Sequence, residues 1–253
     1  MRLGNRSRNP RPSPTVPRVS SHLLAVTFAA HDPTRLAAFW AAVLERDVVE
    51  GPRGILLPGS DTQVGLRFGP SADPKVGQNP VHLHLTSASP ADQQEVVAAA
   101  LRLGAQRLDV GQLPEEGHVV LADPEGNEFC VIEPGNAFLA GCGFLGELAC
   151  DGSRQVGLFW AAALGWPLVW DENEETAVQS PLGGTKIAWG GPPLMPRLGT
   201  SRQRLELVSD GDLATEVERL TASGATGAVR IAAGRVALAD PDGNEFDLIG
   251  GTA

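Results

Sequence analysis

The sequence predicts an α+β protein made of four βαβββ units, and two observations carry that prediction. The first is an internal duplication, the feature to look for before any other. The segment Arg35–Leu44 (RLAAFWAAVL) returns as Gln155–Leu164 (QVGLFWAAAL), 120 positions later. Asp123–Phe129 (DPEGNEF) returns as Asp240–Phe246 (DPDGNEF), 117 positions later. The same order at nearly the same offset marks a duplicated domain with small loop deletions. The second observation is that each half divides again into a strand, a helix and a cluster of short strands. Those clusters are too closely spaced for parallel crossovers, which need about a dozen residues each. Mixed or antiparallel sheets are therefore expected rather than a doubly wound parallel sheet.

The elements follow in order. Leu23 to Ala29 reads as a strand, and Asp32 is a helix N-cap with Pro33 at the first helical position. Leu36, Phe39, Trp40, Val43 and Leu44 then recur at helical spacing, which assigns Trp40, like Trp160 in the second half, to the core. Strands at Ile55–Leu57 and Val64–Phe68 complete the first unit. In the second, Val81–Leu85 alternates, Ser89-Pro90 with Asp92 opens a helix that Gly104 closes, and strands lie near Val119–Leu121 and Glu128–Ile132. The third has a strand at Phe144–Ala149, a helix at Ser153–Leu164, and strands near Pro167–Trp170, Ala177–Gln179 and Lys186–Trp189. The fourth has a strand at Leu205–Val208, a helix from Asp212 to Ser223, and strands near Val229, Val236–Leu238 and Glu245–Leu248. Asp123, Gly126, Asp240 and Gly243 are turn residues: Asp-Pro-x-Gly caps, fixes φ and then takes a positive φ.

Composition narrows the partners. The five arginines of residues 1–20 are unaccompanied by any acidic residue, so setting them aside takes the net charge from −10 to −15 for the remainder. An acidic body repels phosphate backbones, which argues against nucleic acid. Residues 1–20 are expected to form a disordered basic tail, followed by one domain over 21–135 and a second over 143–250. No apolar run reaches the roughly 20 residues of a membrane span. Cys130, Cys142 and Cys150 form no CxxC pair and cannot all pair with one another, so a reducing cytoplasm is expected. Phosphate loops and dinucleotide fingerprints are missing. A small-molecule partner and a monomer or homodimer remain.

The ordered set Asp32–Trp40, Val81–Leu85, Leu103-Gly104-Ala105 and Ala122–Phe129 resembles the vicinal oxygen chelate superfamily of glyoxalases, bleomycin-resistance proteins and extradiol dioxygenases, in its glyoxalase-like branch. The resemblance spans Ser21 to Gly250. It implies that each half curls two βαβββ units into a cup with a small molecule on the concave face, so that the chain forms two tandem glyoxalase-like domains. It also implies a divalent ion held by His, Glu or Gln on the first and last strands of the units. Carried onto this chain, those positions fall near Ala25, His82 and Cys130 in the first half and near Leu145, Arg204 and Asp247 in the second, with Leu66 and Ile187 or Ala188 on the intervening strands. A two-His-one-carboxylate set is absent, and a guanidinium cannot ligate a cation.

Residues i and i+2 of a strand share a face, which adds His84 to His82, Glu206 to Arg204 and Glu147 to Leu145. A two-residue slip would then gather Glu147, Glu206 and Asp247 as an oxygen site for Mg²⁺ or Mn²⁺. The favoured alternative is that Arg204 pairs with Asp247 or Glu206 as a satisfied ion pair. His82 and His84 either touch a ligand or hydrogen-bond within the sheet, and Cys130 reads as a small buried hydrophobe. Trp189, with Trp166 and Trp170, supplies stacking surface. The apolar, Pro- and Gly-rich segment 190–199 folds as a lid or packs on the neighbouring domain. Three readings stay open: a binder of a small apolar or aromatic molecule with no cofactor, a divergent divalent-metal lyase, isomerase or dioxygenase, and a structural protein with vestigial cups. One cup is expected to be His-rich and the other Arg- and carboxylate-rich, with different ligands.

Overall fold

A computed structural model describes residues 21–251 apart from 114 and 197–200; the basic tail lies outside the described residues. All four expected units are present. The first comprises β1 (Ser21–Ala30), α1 (Pro33–Leu44), β2 (Val49–Gly51), β3 (Gly54–Leu57) and β4 (Gly65–Pro70). The second comprises β5 (Val81–Leu85), α2 (Pro90–Arg102), β6 (Gln106–Arg107), β7 (Val119–Ala122) and β8 (Glu128–Val131). The third comprises β9 (Leu145–Cys150), α3 (Arg154–Leu164), β10 (Leu168–Glu172), β11 (Glu175–Gln179) and β12 (Lys186–Trp189). The fourth comprises β13 (Gln203–Ser209), α4 (Leu213–Ala222), β14 (Thr226–Ala232), β15 (Arg235–Ala239) and β16 (Glu245–Gly250). Strands β2 and β6 were not expected. They are short, exposed edge strands with no apolar alternation to announce them. Among the described residues no helix is long and apolar enough to cross a membrane.

Helix starts follow their capping chemistry. The Asp32 side chain accepts from the Arg35 N–H at 2.9 Å, Ser89 from Asp92 at 3.1 Å and Asp212 from Thr215 at 2.8 Å. Helix α3 differs. Ser153 makes no capping bond of its own. Its N–H and hydroxyl instead donate to Asp242, at 2.7 and 2.9 Å. Close packing of α3 on β11 requires Gly157, where a Cβ would lie 2.0 Å from Thr176 Oγ1.

The strands form two eight-stranded mixed sheets, ordered β14-β15-β16-β13-β1-β4-β3-β2 and β10-β11-β12-β9-β5-β8-β7-β6. Each sheet therefore joins one unit from each half: first with fourth, second with third. The cups expected within each half are built across the halves instead. The seams are antiparallel pairings of opening strands, β1 with β13 and β5 with β9. Alternate residues such as Phe28, Leu66, Phe68, Leu207, Phe246 and Leu248 join the helices in one continuous core, leaving the other face of each sheet concave.

The two repeated motifs meet in space. Trp40 of α1 packs edge-on against Phe129 of β8 with ring centroids 5.0 Å apart, and Trp160 of α3 against Phe246 of β16 at the same distance. Each indole N–H also donates to the turn aspartate, Trp40 to Asp123 at 3.0 Å and Trp160 to Asp240 at 3.3 Å. Asp123 further accepts from the Glu125 and Asn127 N–H groups and the Asn127 amide. Its function as a turn residue thus extends to tying the two units of one half together, while the sheets tie units across halves. Replacing Trp40 by Phe should leave the buried Asp123 carboxylate one donor short. A loss of roughly 1–3 kcal/mol is expected in urea unfolding, with a smaller loss for Trp160→Phe, whose bond is longer.

Candidate functional site

The sheet registers decide which side chains share a concave face. In the sheet of the first and fourth units, Thr27 of β1 lies opposite Arg67 of β4 and Arg204 of β13, and Glu206 of β13 lies beside Asp247 of β16. This is an arginine cup. Arg67 grips Glu206 with Nε 3.0 and 3.1 Å from the two oxygens and Nη2 2.9 Å from Oε1. Arg53 Nη1 lies 3.1 Å from Glu206 Oε2, and Arg235 Nη2 donates to Asp247 at 2.6 Å. Arg204 lies 3.9 Å from Asp247 and donates to Glu245 at the rim. Glu206 and Asp247 are fully buried. The pairing expected for Arg204 is therefore supplied mainly by Arg67, Arg53 and Arg235. These three were missed because partners on other strands are invisible without the register. The one available signal was an arginine inside the otherwise apolar run Gly65–Phe68. The cup holds a cavity of about 410 Å³.

In the other sheet His84 of β5 stands between Cys130 of β8 and Glu147 of β9 in one row, with Lys186 of β12 next to Glu147. This is the histidine cup. His84 Nδ1 and Glu147 Oε2 are 2.7 Å apart. Burial alone would push the His84 imidazole down, but hydrogen bonds and charge from Cys130 and Glu147 outweigh it and raise its pKa to about 10. His82 goes the other way, lowered chiefly by burial with Glu128 opposing, and its buried Nε2 has no hydrogen-bond partner among the described residues. The connection between the halves enters this cup. Leu139 and Cys142 pack with Cys130, Val120 and Ile132, covering Cys130. Phe138 accepts from Lys186 through its carbonyl and lies under the Lys186 ammonium, 4.2 Å from its ring centroid. Phe138 also meets Trp170 edge to face, centroids 6.0 Å apart at 85°. Beside them is a cavity of about 360 Å³ lined by Phe138, Glu147, Ala149, Trp170 and Ala188, with the buried Trp189 at its far wall. Phe138 lay outside the expected domains, in a stretch that reads as a linker.

Glu147 lies in the other sheet from Glu206 and Asp247, so the three-carboxylate site considered from the sequence does not form. Leu145 belongs to the core rather than to a cup. Guanidinium groups surround Glu206, and in the histidine cup Lys186 occupies the fourth strand position. Among the described residues no three His, Cys, Asp or Glu side chains are grouped to hold a metal. The segment after β12 is fastened by the Met195 N–H to Asp151, at 3.1 and 3.2 Å, and lines a separate cavity with Lys75 and Asn79. Arg197 to Gly199 lie outside the described residues.

A family model described as glyoxalase-like domain matches residues 25–132 and again 147–249. A search of curated proteins finds no match. Among solved structures, glyoxalase I from Zea mays is similar at 12% identity and TM-score 0.63, over 91% of this chain and 92% of that one. A putative dioxygenase from Bacillus subtilis is similar at 15% identity and TM-score 0.58, over 90% and 84% of the two chains. Identities this low speak for the fold alone.

The two histidines should separate in an NMR titration, His84 remaining protonated at about pH 8 and His82 neutral. Because the folded-state pKa of His84 is raised from 6.5 to about 10, its contribution to stability is full below the unfolded value and is lost as pH climbs through the folded one. The stability gap between the native protein and His84→Gln, read from urea unfolding, should be widest near pH 6 and shrink toward pH 10.

Proposed function

The chain belongs to the glyoxalase-like domain family, and we propose that it uses this fold to bind a small aromatic or apolar molecule in the histidine cup. One observation carries the reading: a cavity of about 360 Å³ stands open between Phe138, Trp170, Ala149 and Ala188, with the buried Glu147 and the exposed Glu175 as its acidic points. Small floor residues leave room for a ring, and edge-to-face aromatic walls favour one. A pocket of this size with few polar groups is suited to fix a small molecule by shape and one or two hydrogen bonds. His84 holds the Glu147 carboxylate in place at 2.7 Å. With its partner protonated, Glu147 can accept a hydrogen bond from a hydroxyl or amine on the ligand while the ring stacks on Trp170. Lys186 fixes the Phe138 backbone and so the roof of the site.

This reading needs no metal: of the residues in the family's ligand positions, Ala25 and Leu145 are apolar and buried and Arg204 is cationic. The test is a titration of tag-free protein with a panel of aromatic compounds, followed by Trp fluorescence and thermal shift. Saturable binding is expected, weakened roughly two- to tenfold by Trp170→Ala, in line with roughly 0.5–1.5 kcal/mol for an aromatic contact. Ala149→Trp, which fills the cavity, should abolish it. Stoichiometric Zn, Ni, Fe or Mn in the purified protein, lost in a His84→Ala, Glu147→Ala variant, would sink the proposal in favour of a metal enzyme.

A further inference from the structure

The arginine cup has a chemistry of its own. Its two floor carboxylates, Glu206 and Asp247, have side chains 2% and 0% exposed, whereas Arg53, Arg204 and Arg235 are 33%, 23% and 33% exposed above them. What enters the cavity therefore meets guanidinium groups first. Four arginines, counting Arg67, carry about twenty N–H donors, while two carboxylates accept at about eight lone-pair sites. The surplus shows in particular atoms. Arg235 Nε is buried with no hydrogen-bond partner, and on the acceptor side so is Asp247 Oδ1, 3.9 Å from Arg204. Arg53 Nη1 lies 3.1 Å from Glu206 but is off line for a hydrogen bond, so it too is unpartnered in that sense.

With Glu245 and Asp73 included, four carboxylates stand against these four arginines, so it is exposure rather than net charge that sets what an entering group meets first. Arg202 is committed to Glu125 and to the Ala29 carbonyl. Glu245 pairs with Arg204 from the rim, with its side chain 47% exposed, and Asp73 lines the cavity as well. A half-exposed rim carboxylate in solvent is screened and can turn away when a competing anion enters. In a chain with net charge −10, a recess presenting guanidinium groups is a local exception that draws anions.

We propose that the arginine cup is a binding site for a small organic oxyanion, a carboxylate or a phosphate, held by Arg53, Arg204 and Arg235 above the Arg67–Glu206 clamp. Guanidinium forks match both groups with paired N–H donors. The buried carboxylates fix the arginines in place before the ligand arrives, so that little ordering remains to be done on binding. The resemblance places a divalent cation at the centre of such a cup. Here the guanidinium groups stand in that place, which reverses the sign of the ligand.

The experiment is calorimetric titration of the full chain with inorganic phosphate and, separately, with malonate, at constant ionic strength balanced by sodium chloride. Saturable binding of at least one is expected, and their ratio tells phosphate from carboxylate preference. Arg53→Gln and Arg235→Gln should each weaken it tenfold or more, with Arg235→Lys intermediate because it keeps charge and loses the fork. Arg154→Gln, which breaks an exposed pair with Asp171 away from the cup, should leave affinity unchanged, as should the cavity-filling Ala149→Trp of the histidine cup. Circular dichroism and thermal melts on each variant separate lost binding from lost folding. The proposal is overturned if neither anion binds saturably, if chloride alone gives the same response, if binding survives in a folded Arg53→Gln, Arg235→Gln double variant, or if Mn²⁺ binds instead in a manner lost on Asp247→Asn.

Discussion

Everything distinctive about this molecule depends on one pairing rule: the opening strand of each unit pairs antiparallel with the opening strand of a unit in the other half. That rule sets β1 against β13 and β5 against β9. It places Glu206 within reach of Arg67, and His84 within reach of Glu147, although 139 and 63 residues separate them along the chain. Pairing within each half would have separated both couples and exposed a different set of side chains on each concave face. A two-stranded antiparallel seam also makes the halves inseparable, because each concave face is closed only when both contribute.

The Trp–Asp bonds complete the circuit. They join first unit to second and third to fourth, where the sheets join first to fourth and second to third. Each unit is thus bound to two others by different means, hydrogen-bonded backbone on one side and a buried indole on the other. Asp123 and Asp240 are both pushed up by burial, against hydrogen bonds from Asn127 and Asn244 and from the two tryptophans. Buried carboxylates persist only when donors surround them in this way.

The same accounting explains why the cups diverge. Buried ion pairs add little net stability, since desolvation offsets attraction. The Arg67–Glu206 clamp and the Arg235–Asp247 pair are therefore better understood as fixing groups in position than as holding the fold together. In the histidine cup the equivalent row runs Cys130, His84, Glu147, Lys186, and the connecting chain lies over one end of it. One cup is left polar and lined by arginine–carboxylate pairs, the other roofed and aromatic. A duplicated fold has acquired two chemistries.

The sequence alone determined the four units, their helix starts and their strands other than β2 and β6, because capping residues, helical spacing and strand alternation act over a few residues and are written locally. Alternation also put His82 with His84 and Arg204 with Glu206 on one face of their strands, a local property as well, but the cups assumed for them lay within each half. Only the tertiary structure decided which strands share a sheet, and hence that Glu147 joins His84 rather than Glu206 and Asp247. Arg53, Arg67 and Arg235 became site residues, and Phe138 a roof, through contacts between segments far apart in the chain. Such contacts follow from how buried surface is shared among four units of one pattern, and a shared pattern offers the sequence no local mark of which two will pair.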